Sequence, residues 1–179
     1  MELPLQPHPA HQPEAISAVK ARILGTDDLW LRLRWRVDGA QRLVVPAFAG
    51  KGRANGLWRT TCFELFLMPE GGPAYCEFNL SPSERWAAYD FPRYREEMSE
   101  RPLEREPQGT MRLGSSFTIF DAAIPRSALP EGECRVNVAA VIEEQGGAKS
   151  YWALAHPPGK PDFHDPACFV ATLPAPEKA

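Results

Sequence analysis

A chain of 179 residues and 19.9 kDa can bury one core of ordinary size and is too short for a multidomain machine. Hydrophobic residues make up 44% and charged residues 24%, and 20 Lys+Arg against 23 Asp+Glu leave a net charge of -3. That balance argues against nucleic acid or an anionic membrane as a bulk electrostatic partner, and no apolar run is long enough to span a bilayer.

The start, MELPLQPHPAHQPEAIS, lacks the basic and apolar regions of a signal peptide. Residues 1–14 are read as a flexible N-terminal segment, 15–174 as one domain and 175–179 as a tail. Cys62, Cys76, Cys134 and Cys168 show neither a CxxC nor a zinc spacing and are too sparse for a disulfide scaffold, so reduced thiols and a cytoplasmic address are expected.

From Ala15 the chain reads as short strands separated by Pro- and Gly-rich turns. Ala15–Leu24 alternates loosely. Leu29–Val37 alternates strictly, with Leu29, Leu31, Leu33, Trp35 and Val37 on one face and Trp30, Arg32, Arg34 and Arg36 on the other, as in a half-buried antiparallel strand. After a loop from Ala49 to Trp58, TTCFELFLM sets Phe63, Leu65 and Leu67 against Cys62, Glu64 and Phe66. YCEFNL sets Cys76, Phe78 and Leu80 against Tyr75, Glu77 and Asn79, and RWAAYDF completes a meander. Pro92–Gly109 is charged and reads as a surface loop, with a helical turn near Tyr94–Met98. Phe117–Ile124, Cys134–Glu143, YWALA and CFVATL supply further strands, with one helical turn over Pro125–Leu129 and a Pro- and His-bearing loop, HPPGKPDFHDP, before the last strand. The fold class expected is all-β: an antiparallel sandwich, jelly-roll or immunoglobulin-like, of two sheets packed face to face.

The stretches YCEFNLSPSERWAAYDF and YWALAHPPGKPDFHDPACF resemble the DOMON-like proteins related to carbohydrate-binding module family 9, over about Leu29 to Leu173. The resemblance implies a β-sandwich that binds the ends of sugars, or in other branches haem, without catalysis of its own. The family's tryptophan before an acidic strand matches Trp58 and Glu64; the next strand and turn match Glu77, Asn79, Ser81 and Ser83; the aromatic strand matches Trp86 and Tyr89. The chain lacks an acid-dense loop of calcium type, and Met68, Met98 and Met111 match the haem branch by residue type only, so no metal and no cofactor are expected.

Pairing of the Glu64 and Glu77 strands would gather Glu64, Glu77 and Asn79 on one surface, where Trp58, Trp86 and Trp152 could cover sugar C–H faces while carboxylates accept hydroxyl protons. Arg34 and His156 complete the expected ligand-binding set. The competing structural reading pairs the two glutamates with Arg32, Arg34 or Arg36 on an exposed face. Trp58 is a platform or a plug over the end of the sandwich, and His156, His164 and Asp165 serve a ligand or merely stiffen their loop. Two carboxylates also raise a glycosidase reading, which needs them to flank a scissile bond. No nucleophile elbow is present, so no catalytic residue is assigned. The function expected is non-catalytic binding of a small carbohydrate or related polyol, with a structural or accessory domain binding a protein partner as the alternative, and haem binding or glycoside hydrolysis behind both.

Overall fold

In the computed structural model, which describes residues 1–175, each expected run of alternation forms a strand. The strands are β1 (Glu2–Pro7), β2 (Ala18–Thr26), β3 (Trp30–Asp38), β4 (Gly52–Arg53), β5 (Cys62–Pro69), β6 (Tyr75–Leu80), β7 (Arg85–Phe91), β8 (Ser99–Glu100), β9 (Gln108–Leu113), β10 (Phe117–Pro125), β11 (Cys134–Glu143), β12 (Lys149–Ala153) and β13 (Ala171–Leu173). Most of the expected tail, residues 176–179, lies outside the described residues.

The strands form one curled, mostly antiparallel sheet in the order β4-β7-β6-β5-β11-β12-β1-β2-β3-β10-β9, with β13 added on β11 and β8 on β7. Two stacked but separate sheets were expected; instead β1 pairs with β12 on one side and β2 on the other, joining two arms of a half-barrel. Glu2–Pro7 therefore belongs to the sheet, although residues 1–14 read as a flexible segment. Its Pro4 and Pro7 hid it, since proline supplies no ladder N–H and usually demotes a strand reading. Beyond β1, the buried carboxylate of Glu144 accepts the backbone N–H groups of Glu14 (2.8 Å) and Ala15 (2.7 Å).

The arms share one core because their apolar faces point inward at a period of two. Leu31, Leu33, Trp35 and Val37 of β3 meet Phe63, Leu65 and Leu67 of β5, with Phe78 and Val136 beside them. At the centre Phe63 stacks on Phe120 of β10 with ring centroids 4.4 Å apart, and Trp35 tilts against Phe63 at 5.5 Å. The opposite side of β3 is the solvated stripe: Arg32 pairs with Asp27 (3.1 Å), Arg34 with Asp121 (2.6 Å) and Arg36 with Asp38 (2.8 Å). The structural pairing of Glu64 and Glu77 with these arginines does not occur, because the stripe lies on the other arm.

The outer face of the β7-β6-β5-β11 arm is not left to solvent. Phe66, Tyr89 and Ala139 pack there beneath Phe163, Cys168 and Phe169 of the segment between β12 and β13, forming a second apolar cluster. Asn137 on β11 pins that segment by donating from Nδ2 to the Phe163 carbonyl (3.0 Å). Tyr94–Met98 forms no helical turn: Arg93 and Glu96 bridge as strand partners, and Arg95 and Glu97 take left-handed φ values of 55° and 50°. Arg95 is held in that sparsely populated conformation by its ion pair with Asp162 (2.7 Å).

All four cysteines are free and buried. Adding a thiol reductant is therefore expected to leave the thermal unfolding midpoint unchanged, whereas a drop of several degrees would reveal a stabilising disulfide. No helix among the described residues is long and apolar enough to cross a membrane.

Candidate functional site

Strand register builds the site. Antiparallel pairing sets Glu64 opposite Asn79, and sets Glu77 between Phe66 and Tyr89. One row across the outer face thus reads Ala87, Asn79, Glu64, Ala139. Alanines at both ends leave the polar pair with no bulky neighbour in the row, and a cleft of about 980 Å³ opens above it. Glu64, Glu77 and Asn79 form its floor and are 3%, 6% and 1% exposed.

The walls come from loops and strand faces. Gly56, at φ 71° in the left-handed region that favours glycine, starts the turn Leu57–Arg59 that projects Trp58 to the rim, 52% exposed. Tyr89 rises from β7 and donates to Asn55 Oδ1 (2.5 Å), while Tyr151 of β12, Phe163 and His164 close the far side. Arg95 also lines the cleft, with its guanidinium on Asp162.

Burial without compensation sets the electrostatics. Glu64 is pushed well above the ordinary carboxylate range, first by burial and then by the charge of Glu77. Burial raises Glu77 to about 7, opposed by a side-chain hydrogen bond from Asn79 and by the charge of Arg95. The Tyr75 hydroxyl accepts the Arg95 backbone N–H (3.1 Å) and shares a hydrogen bond with His164 Nδ1 (2.8 Å). The other ring nitrogen, His164 Nε2, lies 3.7 Å from Glu77 Oε2. Burial, followed by the charge of Arg95, lowers His164 to about 4. Glu64 Oε1 and Asn79 Oδ1 are buried without a hydrogen-bond partner, an arrangement that favours a ligand donor above them.

Of the expected set, Trp58, Glu64, Glu77 and Asn79 converge on the cleft. The other four lie elsewhere. Trp86 faces the inter-arm core opposite Leu80, under the Arg53 guanidinium at 4.4 Å. Trp152 lies in the same core and donates to Ser150 Oγ (2.8 Å). Arg34 is paired with Asp121 on the other arm, and His156 Nε2 hydrogen-bonds the Gln6 carbonyl (2.8 Å) beside His8. Tyr89 is three residues from Trp86, which places the two on opposite faces of a strand; that parity was readable. His164, raised as a ligand candidate by its loop, does line the cleft, whereas Tyr151 and Arg95 become cleft residues through register and loop packing, for which local sequence carries no signal.

Among the described residues no cluster of three or more His, Cys, Asp or Glu side chains could hold a metal ion. A scan against protein-family models and a search of curated proteins find no match. In structure the chain is similar to a candidate carbohydrate-binding protein of Bacteroides uniformis, with a TM-score of 0.65 and 22% identity over 97% of this chain and 85% of that one. It overlaps less with a family 9 carbohydrate-binding module of Caldicellulosiruptor kristjanssonii solved with glucose, at a TM-score of 0.48 and 12% identity over 87% of this chain and 76% of that one. The first likeness establishes a shared fold.

Proposed function

We propose that this chain is a non-catalytic, DOMON-like binding domain that takes a small carbohydrate or related polyol into the cleft above Glu64, Glu77 and Asn79. The observation that carries the reading is the pairing of an aromatic rim with a buried floor whose Glu64 Oε1 and Asn79 Oδ1 lack donors. Sugars offer hydroxyl donors on their edges and apolar C–H surface on their faces, the two features that such a cleft complements. What the Bacteroides protein of the same fold is described as binding supports this choice. A glycosidase would need carboxylates flanking a bond. Here both rise from neighbouring strands on one floor, which suits binding better than cleavage.

Trp58 makes the reading measurable, since it lines the cleft while Trp30, Trp35, Trp86 and Trp152 are buried. Titration with mono- and disaccharides is expected to change tryptophan fluorescence. Trp58→Ala is expected to weaken binding by about 2 kcal/mol with little change in stability, because the removed ring is half exposed. No response across a broad saccharide panel, checked by calorimetry, would remove the carbohydrate reading.

A further inference from the structure

The cleft floor gathers two buried carboxyl groups and an amide oxygen, and among the described residues no lysine or arginine forms an ion pair with either glutamate. Glu64 and Asn79 sit opposite each other across β5 and β6, and Glu64 Oε1 and Asn79 Oδ1 are both buried and without a hydrogen-bond partner. Asn79 directs its side-chain hydrogen bond to Glu77, and His164 Nε2 lies 3.7 Å from Glu77 Oε2. The nearby guanidinium groups are committed elsewhere: Arg95 to Asp162, and Arg53 to the carbonyls of Ala88 (2.8 Å) and Arg101 (2.6 Å). Arg59 and Lys160 line the cleft but are exposed, where water and salt screen them.

A neutral hydroxyl donates one hydrogen. It can satisfy one of the two orphan acceptors and does nothing for two like carboxyl groups on one floor. An ammonium supplies three N–H donors and one positive charge, in a setting where charge-assisted hydrogen bonds are about twice as strong as neutral ones. Acetylating that nitrogen would leave a single N–H and bring a carbonyl, one more acceptor, toward a floor of acceptors.

Building on the carbohydrate reading, we propose that the cleft selects an unacetylated amino sugar, whose ammonium group seats between Glu64, Glu77 and Asn79. The test is calorimetric titration of the full chain with glucose, glucosamine, N-acetylglucosamine and methylamine, in a buffer of about pH 6.5, below the ordinary α-amino range, so that the sugar amine is charged. Glucosamine is expected to bind about tenfold or more tighter than glucose, with N-acetylglucosamine no tighter than glucose and methylamine far weaker than glucosamine. In Glu64→Gln, the advantage of glucosamine over glucose is expected to disappear. If glucose binds as well as glucosamine, the amino-sugar inference is overturned and the carbohydrate reading stands. Binding by none of the three sugars overturns both, and methylamine matching glucosamine shows that the floor reads an amine without the sugar. The wild-type affinity ratios decide the matter even where the variant fails to fold.

Discussion

Phe63→Ala is expected to destabilise the protein by about 3–5 kcal/mol, measured by urea unfolding. Phe63 is fully buried, stacked on Phe120 at 4.4 Å and tilted against Trp35 at 5.5 Å, so its ring joins β5 of one arm to β10 and β3 of the other. Removing it loses the transfer free energy of the ring and leaves a cavity between strands whose hydrogen-bonded ladders restrict collapse. The loss should also reach the cleft, because Glu64 is the next residue on the same strand. A cost under about 1 kcal/mol would mean that the arms close up readily, contrary to a core locked at this aromatic junction.

Glu64→Gln is expected to stabilise the protein at pH 8 by about 1–3 kcal/mol, the scale of an uncompensated buried polar group, and to change stability little near pH 5. The sign follows from proton counting. Glu64 has a folded pKa raised above its ordinary 4.5, so above that value the native state holds more protons than the unfolded chain and stability falls as pH rises. Its contribution is intact below 4.5 and is lost as pH climbs toward the folded value. Glu77 acts in the same sense between 4.5 and about 7. His164, lowered from 6.5 to about 4, acts in the opposite sense, since the stability it contributes disappears as pH falls through that window. The wild-type profile therefore mixes opposing slopes, whereas the difference between wild type and Glu64→Gln isolates one carboxyl. Unfolding curves for both proteins from pH 5 to 8 check this. A gap that stays constant or narrows with rising pH would show that Glu64 is ionised and compensated in the fold.

Local alternation was enough to find the strand interiors, because a period of two reports which side chains can be buried together. LWLRLRWRV from Leu31 on, TTCFELFLM and YCEFNL became strands with the core face that their alternation implied, although Leu29 lies outside β3 and is exposed while Trp30, on the arginine side, is buried; the grouping of Glu64, Glu77 and Asn79 followed once β5 and β6 paired across PEGGP. Parity within β7 was equally available: Trp86 and Tyr89 are an odd number of residues apart, so only one of them can share a face with Glu77. Tertiary structure alone decided the rest. A proline-bearing N-terminus became β1 because it has both β12 and β2 to pair with, and that bridge turned two expected sheets into one curled sheet. Tyr151 rather than Trp152 faces the cleft because β12 pairs with β11 in the register that sets Tyr151 opposite Val141 and Trp152 opposite Ala140. Whether Glu64 and Glu77 lay on a wet surface or a buried floor depended on where the segment between β12 and β13 returned. Phe163 and Phe169 cover that face, Arg95 and His164 meet there from loops far apart in sequence, and the arginine stripe is carried away on the other arm. Periodicity reports how a residue is oriented on its own strand; what stands above that strand is set by contacts between distant segments, which no local pattern encodes.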